Sequence, residues 1–184
     1  MKFIAMSLLA LSPSLVFAGG KASTCDLGDS KRPQVVRVSH GGKIGGTDIY
    51  YLRQGEAAAQ PLLGGEAEDS RGSDVRVQCI GGKRRALAVM GDFMSAGYPQ
   101  GFVLTYDTRK KSFERFNFAE KNAPGWLYSG PKDTLLVFPP GGRLQTERRY
   151  LVYRFAPGAG QDNTEEIVEA LPNADGYEVI KIGL

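Results

Sequence analysis

The chain holds 184 residues with a formal net charge of +3, carried by interspersed Lys, Arg, Asp and Glu and not by a basic tract. That length predicts one domain able to bury its own core, and the scattered charge argues against a nucleic-acid partner. One histidine and two cysteines are too few nitrogen and sulfur ligands for a tetrahedral zinc site.

Met1–Ala18 reads as a secretory signal peptide. Lys2 supplies a positive start, Ile4–Val16 is a short apolar run broken by Pro13, and Val16-Phe17-Ala18 offers small residues where a signal peptidase cuts. The working protein is therefore expected to be residues 19–184, periplasmic or secreted, as a single all-β domain. Later apolar runs are strand-sized, Thr134–Phe138 being the best, and no lipobox surrounds Cys25, so no membrane anchor is expected. In an oxidising compartment the cysteine pair Cys25 and Cys79 is expected to form one disulfide, since it lacks the Cys-x-x-Cys spacing of a redox pair.

From Val35 onward, runs of β-branched and aromatic residues alternate with turn residues, and no stretch carries a helical period. Val35–Val38 leads through Gly41-Gly42 and Gly45-Gly46 to Ile49–Leu52, and Val75–Ile80 leads through Gly81-Gly82 to Ala86–Met90. Paired glycines between such runs predict hairpins, because primed turns need positive φ. Phe102–Tyr106 and Phe113–Phe118 pair across Asp107–Lys110, and Leu127-Tyr128 with Leu135–Phe138 across Gly130–Asp133. Tyr150–Phe155, Ile167–Leu171 and Tyr177–Ile182 close the series. The segment Glu56–Ser73 is the least structured, with room for one or two helical turns at Glu56–Gln60 before Pro61 stops them. The fold predicted is an antiparallel meander of about ten short strands, as a sandwich or open barrel. The alternative is a set of propeller-like blades. Asn122-Ala123-Pro124-Gly125-Trp126 and Asn173-Ala174-Asp175-Gly176-Tyr177 share a pattern at a period of about fifty residues, which resembles propeller blades.

No catalytic constellation emerges. His40, in Ser39-His40-Gly41-Gly42, has no Gly-x-Ser-x-Gly elbow to serve and reads as a turn residue. Asp162–Glu166 lacks the spacing of a calcium loop, and no glycine segment forms a phosphate cradle. No cofactor or metal is expected. The basic clusters Lys83–Arg85, Arg109–Lys111 and Arg148-Arg149 read as solvated turns or strand starts, the sharper reading being contact with an acidic partner.

Surface recognition is the remaining signal. Between two predicted strands, residues 91–101 carry Phe93, Met94 and Tyr98 between glycines. Trp126, with Tyr128 two residues on and so on the same face, and Arg143 in the loop after Pro139-Pro140 complete the expected partner-binding set. The functional expectation is a periplasmic, non-enzymatic protein-binding domain, an immunity or inhibitor protein that occludes a toxin or envelope hydrolase. The alternatives are a secreted hydrolase acting on glycans through carboxylates such as Asp92, Asp107, Glu114 and Asp133, and a scaffold subunit of an envelope assembly.

Overall fold

The computed structural model describes residues 22–93, 97–157 and 162–184; the expected signal peptide and Met94 lie outside them. In chain order the strands are β1 (Ser23–Asp26), β2 (Val35–Ile44), β3 (Thr47–Gln54), β4 (Gln60–Pro61), β5 (Arg71–Gly81), β6 (Arg85–Phe93) and β7 (Gln100–Asp107). They continue with β8 (Ser112–Ala119), β9 (Trp126–Ser129), β10 (Thr134–Phe138), β11 (Tyr150–Phe155), β12 (Thr164–Val168) and β13 (Glu178–Lys181). They form two antiparallel sheets, one ordered β1-β2-β3-β5-β6-β7-β8 with β4 on β3, the other β12-β11-β10-β9-β13. The fold is all-β, and neither sheet closes into a barrel.

The strands with unbroken apolar runs explain how the layers stack. Ala86-Leu87-Ala88-Val89-Met90 in β6 is buried throughout, as are Phe102-Val103-Leu104 in β7 and Leu135-Leu136-Val137-Phe138 in β10. Successive side chains on a strand point to opposite faces, so such runs need cover on both sides. On one face, Ala86, Ala88, Met90, Val103, Phe116 and Phe118 meet Leu127, Leu136, Phe138, Leu151, Tyr153 and Phe155 of the second sheet. Edge-to-face ring pairs lock that contact: Phe116 with Phe155 at 5.0 Å and Phe118 with Phe138 at 5.6 Å between centroids.

On the opposite face, Leu87, Val89, Phe102 and Leu104 pack against Val36, Val38 and Leu52 of the same sheet and against Leu62 just past β4. This requires the first sheet to fold back on itself. The bend falls at β3–β5, where only Asp48↔Gly72 and Ile49↔Arg71 pair. The Cys25–Cys79 disulfide bridges the fold, joining β1 to β5 with 5.4 Å between Cα atoms across 54 positions of sequence. Leu62, fully buried, reaches this core from the segment between β4 and β5. Ser70 pins that segment, its hydroxyl accepting from the Leu63 N–H and donating to the Leu63 carbonyl, each at 2.9 Å.

Several local expectations change. The β2–β3 turn lies at Gly45-Gly46, both with positive φ (57° and 84°), whereas Gly41-Gly42 sits inside β2 at an irregularity in register between His40 and Lys43. The helical turns expected at Glu56–Gln60 do not form. Gln60 and Pro61 pair with Leu52 and Tyr51 instead, because burying Leu62 draws the chain into extended form. The matching Asn-Ala segments at 122–126 and 173–177 are not blade equivalents. They lead into β9 and β13, which pair with each other in one sheet.

Candidate functional site

Pro139-Pro140 cannot extend the β10 ladder, since neither residue has an N–H to donate, and the chain leaves the sheet there. The loop that follows, residues 139–149, is fixed from within. Gly141, at a φ of 96°, donates its N–H to the Thr146 carbonyl at 2.8 Å. The Thr146 hydroxyl is buried; it accepts from the Arg143 N–H at 2.9 Å and donates to the Arg143 carbonyl at 3.0 Å. Asn122 Nδ2 donates to the Pro139 and Pro140 carbonyls at 3.3 and 3.0 Å. Leu144–Thr146 is a single 3-10 turn, and Leu144 at its start is 88% exposed.

Arg143 anchors this loop to both sheets. Its Nε and Nη2 donate to the two carboxylate oxygens of Glu120, just past β8, the Nε bond at 3.0 Å. Its Nη1 donates to Glu165 on β12 at 2.9 Å. Tyr153 on β11 donates its hydroxyl to Glu120. Glu120 is 2% exposed and Tyr153 6%, so a charge is held inside the seam by a forked pair and one further donor. Burial, and then the bond to Glu120, hold the Tyr153 hydroxyl well above the ordinary tyrosine pKa, and the hydrogen bond to Glu120 raises that of Arg143. For Tyr153 the sign is that of an acid with a raised native pKa. Its contribution is complete below the unfolded value near 10 and is lost as pH rises toward the native value. Alkaline titration is expected to lower unfolding free energy by up to about 1.4 kcal/mol per pH unit above pH 10 from this group. Comparing denaturant melts of wild type and Tyr153→Phe across that range checks it, since the variant loses this slope.

Glu120 also sets the neighbouring loop, its backbone N–H donating to the Pro99 carbonyl at 3.1 Å. Tyr98, 46% exposed, thus stands at the same end of the sheets as Leu144. Of the segment 91–101 singled out in the sequence, residues 91–93 and 100–101 belong to β6 and β7, and Pro99 is linked through this one buried glutamate to Arg143 of the 139–149 loop.

The other expected contact residues lie elsewhere. Phe93 ends β6 and is 5% exposed, packed edge-on against Tyr50 at 6.0 Å. It packs into the core inside the folded-back first sheet and does not stand out from a loop. Tyr128 is 4% exposed in a cluster with Leu135, Val137 and Val152 on the outer face of the second sheet, where half-buried Trp126 packs beside it. Trp126 meets Tyr150 and Tyr128 meets Tyr177, each edge-to-face at 5.8 Å. Arg143, expected to contact a partner, instead has its guanidinium engaged within the molecule by Glu120 and Glu165.

The far end of the sheets carries a cleft of about 880 Å³, rimmed by turns at Lys83-Arg84, Asp107–Lys110 and Gly130-Pro131. Asp107, Glu114 and Asp133 line it and Asp92 does not. Each of the three is already engaged. Asp107 accepts the N–H groups of Arg109 and Lys110 at 2.8 and 3.2 Å. Burial alone would raise its pKa, but these donors outweigh it and hold the carboxyl below its usual range, opposite to what a general acid needs. Glu114 accepts from Lys110 Nζ at 2.6 Å, and Asp133 is bound by Arg154 and by the Tyr177 hydroxyl, the latter at 2.6 Å. His40 Nδ1 lies 3.6 Å from an Asp48 oxygen.

Sequence reasoning missed Glu120, Tyr153, Thr146 and Leu144. Leu144 had a signal, being the one large apolar residue in a glycine-rich polar loop; Glu120 had none, because a charge after a strand looks like any solvated strand end. Compared with known proteins, the chain matches no family model, no curated protein and no solved structure.

Proposed function

We propose that this protein is an exported protein-binding domain, periplasmic or secreted, that acts by occlusion as an inhibitor or immunity protein. The observation that carries the reading is buried Glu120 bonded to both Pro99 and Arg143, with Leu144 beside the one 88% and Tyr98 beside the other 46% exposed. Apolar anchors on pre-set loops are what protein interfaces use, since little conformational freedom is lost on binding. The glycan-hydrolase alternative draws on Asp107, Glu114 and Asp133, three of the five carboxylates that line the opposite cleft, but their bonds to backbone, lysine and arginine leave the loop reading ahead.

A pull-down with residues 19–184 from periplasm and culture supernatant, analysed by mass spectrometry, tests it. A stoichiometric partner is expected with wild type and is expected to be lost with Tyr98→Ala/Leu144→Ala. Leu144 is exposed enough that its loss should change stability by no more than about 0.5 kcal/mol, and a thermal melt of each single variant separates loss of binding from loss of fold. Undiminished capture by the double variant removes these loops from the interface.

A further inference from the structure

We propose that Cys79 is a site of thiol exchange. A low-molecular-weight thiol attacks its sulfur, opens the Cys25–Cys79 bridge and stays on Cys79 as a mixed disulfide, while Cys25 is left as a buried thiol.

The two ends of the bridge are placed unlike one another. Cys25 is 2% exposed, within the cluster that holds Val36, Leu87 and Val89, whereas Cys79 is exposed. The strand register explains the difference. Cys25 is paired with Val36 in the β1–β2 ladder, but β5 meets β3 only through Arg71 and Gly72. At Cys79, β5 is therefore paired with β6 on one edge and with no described strand on the other. A thiolate attacks a disulfide from the side away from the leaving sulfur, so access decides which sulfur is struck. The Cys25 sulfur is shielded by packed side chains, and Cys79 stands at the rim. Arg85 adds a charge that favours an incoming thiolate. It lies two positions before Leu87, the cross-strand partner of Cys79, and so on the same face of the sheet.

The new bond joins the incoming sulfur to Cys79 Sγ, the Cys79–Cys25 bond breaks, and its electron pair leaves on Cys25 Sγ. That sulfur takes a proton from water, replacing the one the incoming thiol gave up. An anion is unfavourable in this apolar cluster, but a thiol there has an acceptor, since the Ala86 carbonyl oxygen lies 3.8 Å from Cys25 Sγ. The β1–β2 ladder does not depend on the bridge, so the Cys25 thiol stays close to Cys79 and the exchange is reversible. What opens is the covalent tie between β1 and β5 across the fold-back.

The test incubates the native protein with an excess of reduced glutathione well below its unfolding transition, quenches in acid, and maps peptic peptides by mass spectrometry. The glutathione mass is expected on the peptide that holds Cys79, with Cys25 recovered as the free thiol. Single-cysteine variants read access without competition from re-closure. With oxidised glutathione, the Cys79 thiol of Cys25→Ser should react about 100-fold faster than the Cys25 thiol of Cys79→Ser, and the difference should vanish in denaturant. An adduct on Cys25, an even split between the two, no adduct until the protein unfolds, or equal rates in the two variants overturns the proposal.

Discussion

Replacing Arg143 by alanine is expected to lower the unfolding free energy by about 3–5 kcal/mol, the cost of leaving a buried carboxylate without its counter-charge. Glu120 is 2% exposed and takes two of its donors from that guanidinium. Tyr153 remains as a neutral donor but brings no compensating charge. For a chain of this size the loss corresponds to a fall in Tm of about 6–20 °C. Arg143→Lys should recover only part of it, because an ammonium cannot fork across both carboxylate oxygens while reaching Glu165. Glu120→Leu combined with Arg143→Leu should be less damaging than Arg143→Ala alone, since removing both charges leaves no buried ion. Thermal melts of the three variants check this. A surface-like loss below about 1 kcal/mol for Arg143→Ala would mean that water reaches Glu120 and the seam is open.

Removing the disulfide is the second large effect. Closing a loop of 54 positions is worth about 4 kcal/mol in the chain-entropy account. Here the bridge also spans the fold-back, holding β1 against the strands whose faces Leu87, Val89, Phe102 and Leu104 depend on it for cover. Cys25→Ser/Cys79→Ser, or reduction of the native protein, is expected to lower Tm by about 8–16 °C. Near-ultraviolet circular dichroism should report looser packing in the core inside the folded-back first sheet, where Phe93 and Phe102 lie. An unchanged melt under full reduction would show that the non-covalent contacts of β1 already hold the fold-back.

The strand pattern was legible because it is written in local chemistry. Residues such as Val77, Val89 and Val103 state a pleated, buried surface, and the turns at Gly45-Gly46 and Gly130–Asp133 state the reversals that separate strands. Continuous burial in Ala86–Met90 was also present in the sequence as an unbroken apolar run, although which layers cover its two faces was not. The short strands β1 and β4 escaped notice because Ser23-Thr24-Cys25-Asp26 and Gln60-Pro61 carry no apolar or aromatic alternation, unlike the equally short β9 with Trp126, Leu127 and Tyr128.

The candidate site divides along the same line. That the 139–149 loop lies on the surface follows from composition, because Pro139-Pro140 lack the N–H groups a ladder needs, whereas Gly91 and Gly101 of the other segment pair within β6 and β7 and only Gly97–Pro99 between them is described as loop. Whether a given aromatic in or near them faces water depends on what the rest of the chain places over it. Phe93 is covered by the turned-back first sheet, and Tyr128 packs against Tyr177, just before β13 and some fifty positions later in the chain. By itself the sequence determined an all-β chain, its main reversals, and a cysteine pair suited to one bridge, all properties of period, turn chemistry and count. Only the tertiary structure decided that Glu120, Arg143, Tyr153 and Glu165 meet in one seam and leave Leu144 in the open. Burial and ion pairing are set by distance in space, and β8, the 139–149 loop, β11 and β12 come together only when the two sheets pack.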